Sequence, residues 1–211
     1  MDPVDKAIED LKRNPRRFRS ARGYERLLNL LRDGHAPDAV KGFLRGDSEF
    51  VGDVLWVVCE LEHVEPYVSE AVLHISDSDK GTAAYALEVV FRGSHDGAEL
   101  RTALECLNSS HVAVCEHVVR VLSGQGLARL RRILQATGWS WAIELADASS
   151  GGWLPREMVE ELLSDKQARQ VLGAALATLA IEKSASAMKV LQNSEQAWIR
   201  EYAAWLQEMQ A

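Results

Sequence analysis

The chain has 211 residues, 47% of them hydrophobic and 26% charged, with a net charge of −7. That balance is ordinary for a water-facing folded chain. The longest apolar runs, residues 54–59 and 173–181, are far too short to cross a bilayer. The first fifteen residues, MDPVDKAIEDLKRNP, are charged from the second position and lack a signal-peptide core. Three cysteines, Cys59, Cys106 and Cys115, are an odd number and fall on apolar helix faces, so they read as reduced core thiols. The expectation is one cytoplasmic domain over 1–211, with no membrane contact.

Charge is unevenly placed. Residues 1–40 hold nine Lys/Arg against seven Asp/Glu, 41–124 hold six against fourteen, and 125–211 hold nine against ten. The middle of the chain therefore carries the acidity. An acidic surface repels phosphate backbones and attracts basic proteins, which argues against nucleic acid and for a cationic protein partner.

In chain order, Pro3 opens a helix over 4–12. A second is expected over 18–32, with Leu27, Leu28, Leu30 and Leu31 as its apolar part. Pro37 opens a short helix to residue 45, and Asp47 or Ser48 is expected to cap the next, to residue 62. Further helices are expected over 65–75, 80–92, 99–107, 110–122, 127–137 and 141–148. An irregular break at 148–154 follows, then helices over 155–163, 166–181, 185–192 and 195–210. Nothing alternates with a period of two between hairpin turns, so no strand is expected.

The chain repeats itself at a spacing of 31. Residues 71–93, AVLHISDSDKGTAAYALEVVFRG, align with 102–124, TALECLNSSHVAVCEHVVRVLSG. Leu73 meets Leu104, Ala84 meets Cys115, Leu87 meets Val118 and Gly93 meets Gly124. Each block reads as a helix end, a Ser/Asp/Asn turn and a second helix closed by glycine. A helical pair that cannot bury its apolar face alone has to stack on its neighbours.

The turn-then-helix form returns at Asn193–Leu206. Its segment Ile199-Arg200-Glu201-Tyr202-Ala203-Ala204-Trp205-Leu206 resembles the second helix of HEAT repeats, in the short form of bacterial proteins. Ala168-Arg169 with Ala174-Ala175-Leu176 is a looser version, and the central helices depart from it, with Ala83 and Ala113 where Arg is usual. The resemblance implies an all-α, right-handed solenoid of about five to six stacked antiparallel helix pairs.

On the helix expected over 48–62, Val51, Val54, Leu55, Val58 and Leu61 share one face, while Glu49, Asp53, Trp56 and Glu60 share the opposite one. An indole within an acidic stripe suits an Arg/Lys-rich partner. The resemblance to HEAT stacks implies that this stripe lies on a concave surface, extended by Asp77, Asp79 and Glu88. His111 and His117 are expected as further polar contacts. His111 and Cys115 stand four apart, but no second ligand pair follows, so no metal and no cofactor are expected. The run Lys12-Arg13, Arg16-Arg17-Phe18-Arg19, Arg22 and Arg26 reads first as solvation of a capping helix; contact with nucleic acid or an acidic lipid surface, and pairing with the acidic middle of the chain, stay open. Trp139, Trp141 and Trp153 around Gly151-Gly152 are expected to pack internally.

No phosphate loop, Gly-x-Ser-x-Gly elbow or His-Glu-x-x-His occurs in the sequence. The expected function is non-enzymatic: a protein, monomeric when free, that binds a basic protein through its acidic surface. The most specific version is an immunity protein neutralising a cognate toxin in bacterial competition. Two other HEAT-like classes stay open, a DNA glycosylase type and a lyase or chaperone-type adaptor. The acidic middle opposes the first.

Overall fold

The computed structural model describes residues 2–20, 22–35, 37–46, 48–149, 155–181 and 185–210. Every regular element among them is helical. The chain divides into two compact units, Met1–Ser94 and His95–Ala211.

The first unit holds α1 (Pro3–Arg13), α2 (Pro15–Ser20), α3 (Gly23–Arg32), α4 (Pro37–Leu44), α5 (Val51–Cys59), α6 (Val68–Ala71) and α7 (Lys80–Gly93). Asp2 caps α1, its carboxylate accepting the Val4 N–H at 2.8 Å. The expected helix over 18–32 is divided in two, because Arg22 takes a left-handed φ of 57°. That conformation is uphill for a residue with a side chain, and the packing of Phe18 on Gly23 holds it in place. The helix expected over 65–75 is also broken: 3-10 turns at Glu65–Tyr67 and Val72–His74 flank the single α-turn of α6. Pro66 supplies no N–H at its start, and His74 Nε2 donates to the Leu44 carbonyl oxygen at 2.6 Å, holding its end.

The helix expected from residue 48 begins at Val51, and Ser48 Oγ accepts the Phe50 N–H at 3.3 Å rather than capping it directly; Asp47 lies outside the described residues. α5 is apolar nearly all round, with Val51, Val54, Leu55, Val57 and Val58 buried. Its main neighbour is α7, which buries Ala83, Ala84, Ala86, Leu87, Val89, Val90 and Phe91. The two approach closely because residue 52 is glycine: a β-carbon there would stand 2.5 Å from Thr82 Oγ1. At the far end of α5, Arg92 donates to the Cys59 carbonyl and, at 2.6 Å, to that of Leu61. Arg32 donates to the Glu60 carbonyl at 3.2 Å. Two guanidinium groups thus satisfy carbonyls that the helix end leaves unpaired.

The second unit holds α8 (Gly97–Leu107), α9 (Val112–Gly124), α10 (Leu127–Thr137), α11 (Ser140–Ala148), α12 (Arg156–Ser164), α13 (Gln167–Ala180), α14 (Ala185–Gln192) and α15 (Ala197–Gln210). Its centre is α13, buried without interruption from Gln170 to Ala177, as an all-round apolar helix must be. It packs on α12 and on α9, and α10 packs on α8 and α11. Gln167 ties α13 to α9, its amide donating to the Ser110 carbonyl at 2.9 Å and to Cys115 Sγ at 2.8 Å. Trp139 and Trp141 are half-buried and stacked with centroids 5.4 Å apart, and the Arg169 guanidinium lies 4.6 Å over Trp141. Trp153, Gly151 and Gly152 lie outside the described residues.

Candidate functional site

Within the first unit, α2, the start of α3, and the N-terminal turns of α5 and α7 enclose a cleft of about 830 Å³. α5 presents Asp53 and Trp56 to it because these two interrupt an otherwise apolar helix. The turn ahead of α5 adds Glu49. The turn ahead of α7 adds Asp77 and Asp79, and α7 itself adds Tyr85.

Asp53 is the best-held group. Its side chain is 15% exposed, and the Arg19 guanidinium, 53% exposed, donates to its two oxygens at 2.9 and 2.8 Å. The Tyr24 hydroxyl also donates to Asp53, and Arg19 Nε lies 2.8 Å from that hydroxyl. Tyr24 in turn meets Trp56 edge-on, with centroids 5.1 Å apart. Trp56 is 37% exposed, one of the few large apolar side chains left in water. The result is an aromatic wall beside a carboxylate that already holds a guanidinium, the planar pairing for which arginine is suited.

The electrostatics follow. Arg19 is held protonated more firmly still, first by its hydrogen bond to Asp53 and then by that to Tyr24. Tyr24 is pushed up, first by burial and then by its bond to Asp53. Burial also raises Tyr85, with smaller contributions from surrounding negative groups, Glu88, Asp79 and Asp53 among them. Asp79 goes the other way: the backbone N–H of Thr82 (2.8 Å), then its hydroxyl (2.9 Å), hold the carboxyl below its usual range. Asp79 is the N-cap of α7, and Asp77 Oδ1 accepts the Asp79 N–H at 2.8 Å. Four carboxylates against one arginine leave the cleft net negative.

Of the residues singled out in the sequence, the cleft gathers Glu49, Asp53, Trp56 and Asp79, with Asp77. Glu60 lies past the end of α5 and borders a different cavity, lined also by Arg32 and Arg92. Glu88 sits farther along α7, half-buried and paired with Arg92 at 3.1 Å. His111 and His117 belong to the second unit. His111 caps α9, its Nδ1 accepting the Ala113 N–H at 3.2 Å, and His117 is half-buried on the same helix. Among the described residues, no three His, Cys, Asp or Glu converge as metal ligands would, and no helix is long and apolar enough to cross a membrane.

Arg19, Tyr24 and Tyr85 were not singled out for this site. Arg19 stands in the basic run, for which pairing with the acidic middle is one reading among several, and Tyr85 lies on the half-buried stripe of α7 with Gly81, Glu88 and Arg92. The chain matches no family model, no curated protein and no solved structure.

Proposed function

We propose that this chain is a non-catalytic binding protein whose acidic, aromatic cleft takes an arginine- or lysine-bearing segment of a basic protein. The observation that carries the reading is the Arg19–Asp53 pair against Tyr24 and Trp56: the cleft already accommodates a guanidinium of the chain's own. Glu49, Asp77 and Asp79 extend the negative rim around that point, and complementary charge both steers encounter and selects partners. In its most specific form the reading is an immunity protein neutralising a cognate toxin in bacterial competition. For the arrangement of the helices, we read the pairs as a HEAT-like stack. The support is that the aligned positions Ala84 and Cys115, and Leu87 and Val118, are all buried.

The test is titration of the full chain with nona-arginine, followed by tryptophan fluorescence, and co-purification with the products of adjacent genes. A saturable peptide signal and one stoichiometric basic partner, silenced in the complex, are the expected results. Binding that survives Asp53→Lys with Trp56→Ala rules out the cleft as the binding site.

A further inference from the structure

Arg19 meets Asp53 side-on. Its Nη2 lies 2.9 and 2.8 Å from the two carboxylate oxygens, and its Nε lies 3.3 Å from Oδ1 and 2.8 Å from the Tyr24 hydroxyl. That hydroxyl donates in turn to Asp53. One edge of a planar group thus meets three oxygens at once, a fit that the compact ammonium of a lysine does not reproduce. Both carboxylate oxygens are taken, so an incoming arginine reaches Asp53 only by replacing Arg19.

The seat is held without Arg19. Asp53, 15% exposed, belongs to α5, which packs along α7. Tyr24 stands edge-on to Phe18 on one side and to Trp56 on the other, with centroids 5.3 and 5.1 Å apart. Phe18 is itself pressed onto Gly23. Arg19, by contrast, reaches the seat from α2, a six-residue helix, with its side chain 53% exposed. Rotation about its own side-chain bonds carries the guanidinium into water, and a pair this exposed is readily exchanged.

Exchanging one guanidinium for another changes little at Asp53 itself. The gain lies in what Arg19 leaves uncovered: Trp56, 37% exposed, and the carboxylates of Glu49, Asp77 and Asp79 on the rim. An arginine within a peptide brings backbone and neighbouring side chains that cover the indole and complement the negative rim. A single small cation brings neither and leaves Arg19 in place.

Building on the cleft as the binding site, we propose that Arg19 is an internal occupant standing in for the partner's arginine: the partner seats an arginine, not a lysine, on Asp53 and Tyr24, and Arg19 swings out. The internal pair then sets the affinity, because only the fraction of chains with Asp53 vacated is competent to bind.

The experiment is NMR and fluorescence titration of the full, nitrogen-15-labelled chain with nona-arginine and, separately, nona-lysine at physiological ionic strength. The Arg19 Nε–H signal, assigned by its loss in Arg19→Lys, should move to the value of a solvated arginine as nona-arginine saturates. Nona-lysine should bind at least roughly threefold more weakly. Arg19→Gln should tighten nona-arginine binding by roughly fivefold, with helical content unchanged. Arg19→Lys keeps the charge but loses the planar edge, and should tighten it by roughly twofold. Arg16→Gln removes the same charge from an exposed neighbour on α2 and should change it by less than that. In an Asp53→Asn chain, Arg19→Gln should give no further gain. Saturable binding that leaves the Arg19 signal unmoved, equal affinity in the parent and Arg19→Gln, or tighter binding of nona-lysine overturns the displacement while leaving the cleft as the binding site. Failure of every chain to bind nona-arginine removes the cleft reading itself, and the displacement with it.

Discussion

Gly52 on α5 and Thr82 on α7 touch so closely that a β-carbon at residue 52 would stand 2.5 Å from the threonine hydroxyl. The contact governs how near the first turns of the two helices come, and so the width of the cleft they line. The hydroxyl is not free to yield, since it donates to Asp79 Oδ1 at 2.9 Å. Gly52→Ala gains up to about 1 kcal/mol of helix propensity. It must also displace that hydroxyl or part the helices, at about 1–3 kcal/mol. A net loss of about 1–2 kcal/mol is expected, read as a lower urea midpoint at unchanged slope. Thr82→Ala opens the space, so the double variant should lose less than the two single losses together. Strict additivity would show that the contact is not the cause.

Asp79 makes the start of α7 sensitive to acid. Its carboxyl lies below the ordinary value of 3.8 because the Thr82 backbone N–H, and then the hydroxyl, donate to the charged form. As pH falls, the unfolded chain takes up this proton before the folded one does. The stabilisation is therefore complete above the unfolded value and is lost as pH drops through the folded one. Asp79→Asn keeps an acceptor but cannot titrate. Its stability deficit relative to the parent should shrink between about pH 5 and pH 3. Asp79→Ala should cost about 1 kcal/mol at pH 7. A gap between the parent and Asp79→Asn that stays constant from pH 7 to pH 3 would show that charge plays no part in the cap.

The thiols give a third measurement. Cys115 is buried, and burial pushes its thiol up to about 11, against a smaller lowering by the Gln167 amide. Cys59 is pushed up further, by burial first and by the charge of Glu88 second. The thiolate is the reactive form. At pH 8 the native chain should label at both positions at least about tenfold more slowly with an aromatic disulfide reagent than the chain in guanidinium. Single Cys→Ala variants assign each phase. Fast native labelling of Cys59 would mean that its thiol is neither shielded nor held protonated.

Helices whose ends are marked in the sequence were legible. α10 runs from Leu127 to Thr137 as expected, because Gly126 and Gly138, both at positive φ, bracket the apolar set Leu130, Ile133 and Leu134. The 31-residue match also locates buried positions, since Ala84, Cys115, Leu87 and Val118 all lie inside. It misleads at its first helix. Leu73 aligns with the buried Leu104 but is 62% exposed, because the segment after Pro66 breaks into short turns. Gly93 and Gly124 align as well, yet only at Gly93 does the packing need glycine: a β-carbon there would meet Val68 at 2.7 Å, and none would be met at Gly124. In the site, Asp53 and Trp56 were legible because α5 is otherwise apolar. Arg19 and Tyr24 reach Asp53 from 34 and 29 residues away, after a reversal at Arg22 whose one residue signal, Gly23, falls inside the helix expected over 18–32. Periodicity reports which face of a helix is buried, and not which distant segment crosses it.

Glu70 provides the last test. It is 3% exposed, its Oε1 accepts from the Arg45 guanidinium at 2.5 Å, and its Oε2 has no hydrogen-bond partner among the described residues. The Arg45 side chain is 65% exposed. A buried carboxylate with unmet acceptors is unfavourable, so the arginine offsets a burden that α6 would otherwise carry alone. Arg45→Ala removes that partner and should cost about 2 kcal/mol or more. Glu70→Met fills similar space without charge and returns Arg45 to water, so it should be neutral or stabilising. In the Glu70→Met chain, Arg45→Ala should then cost less than about 0.5 kcal/mol. Urea unfolding of the four chains measures all three quantities. A cost of Arg45→Ala that persists in the Glu70→Met chain would assign the arginine's role to packing of its aliphatic stem, and not to the ion pair.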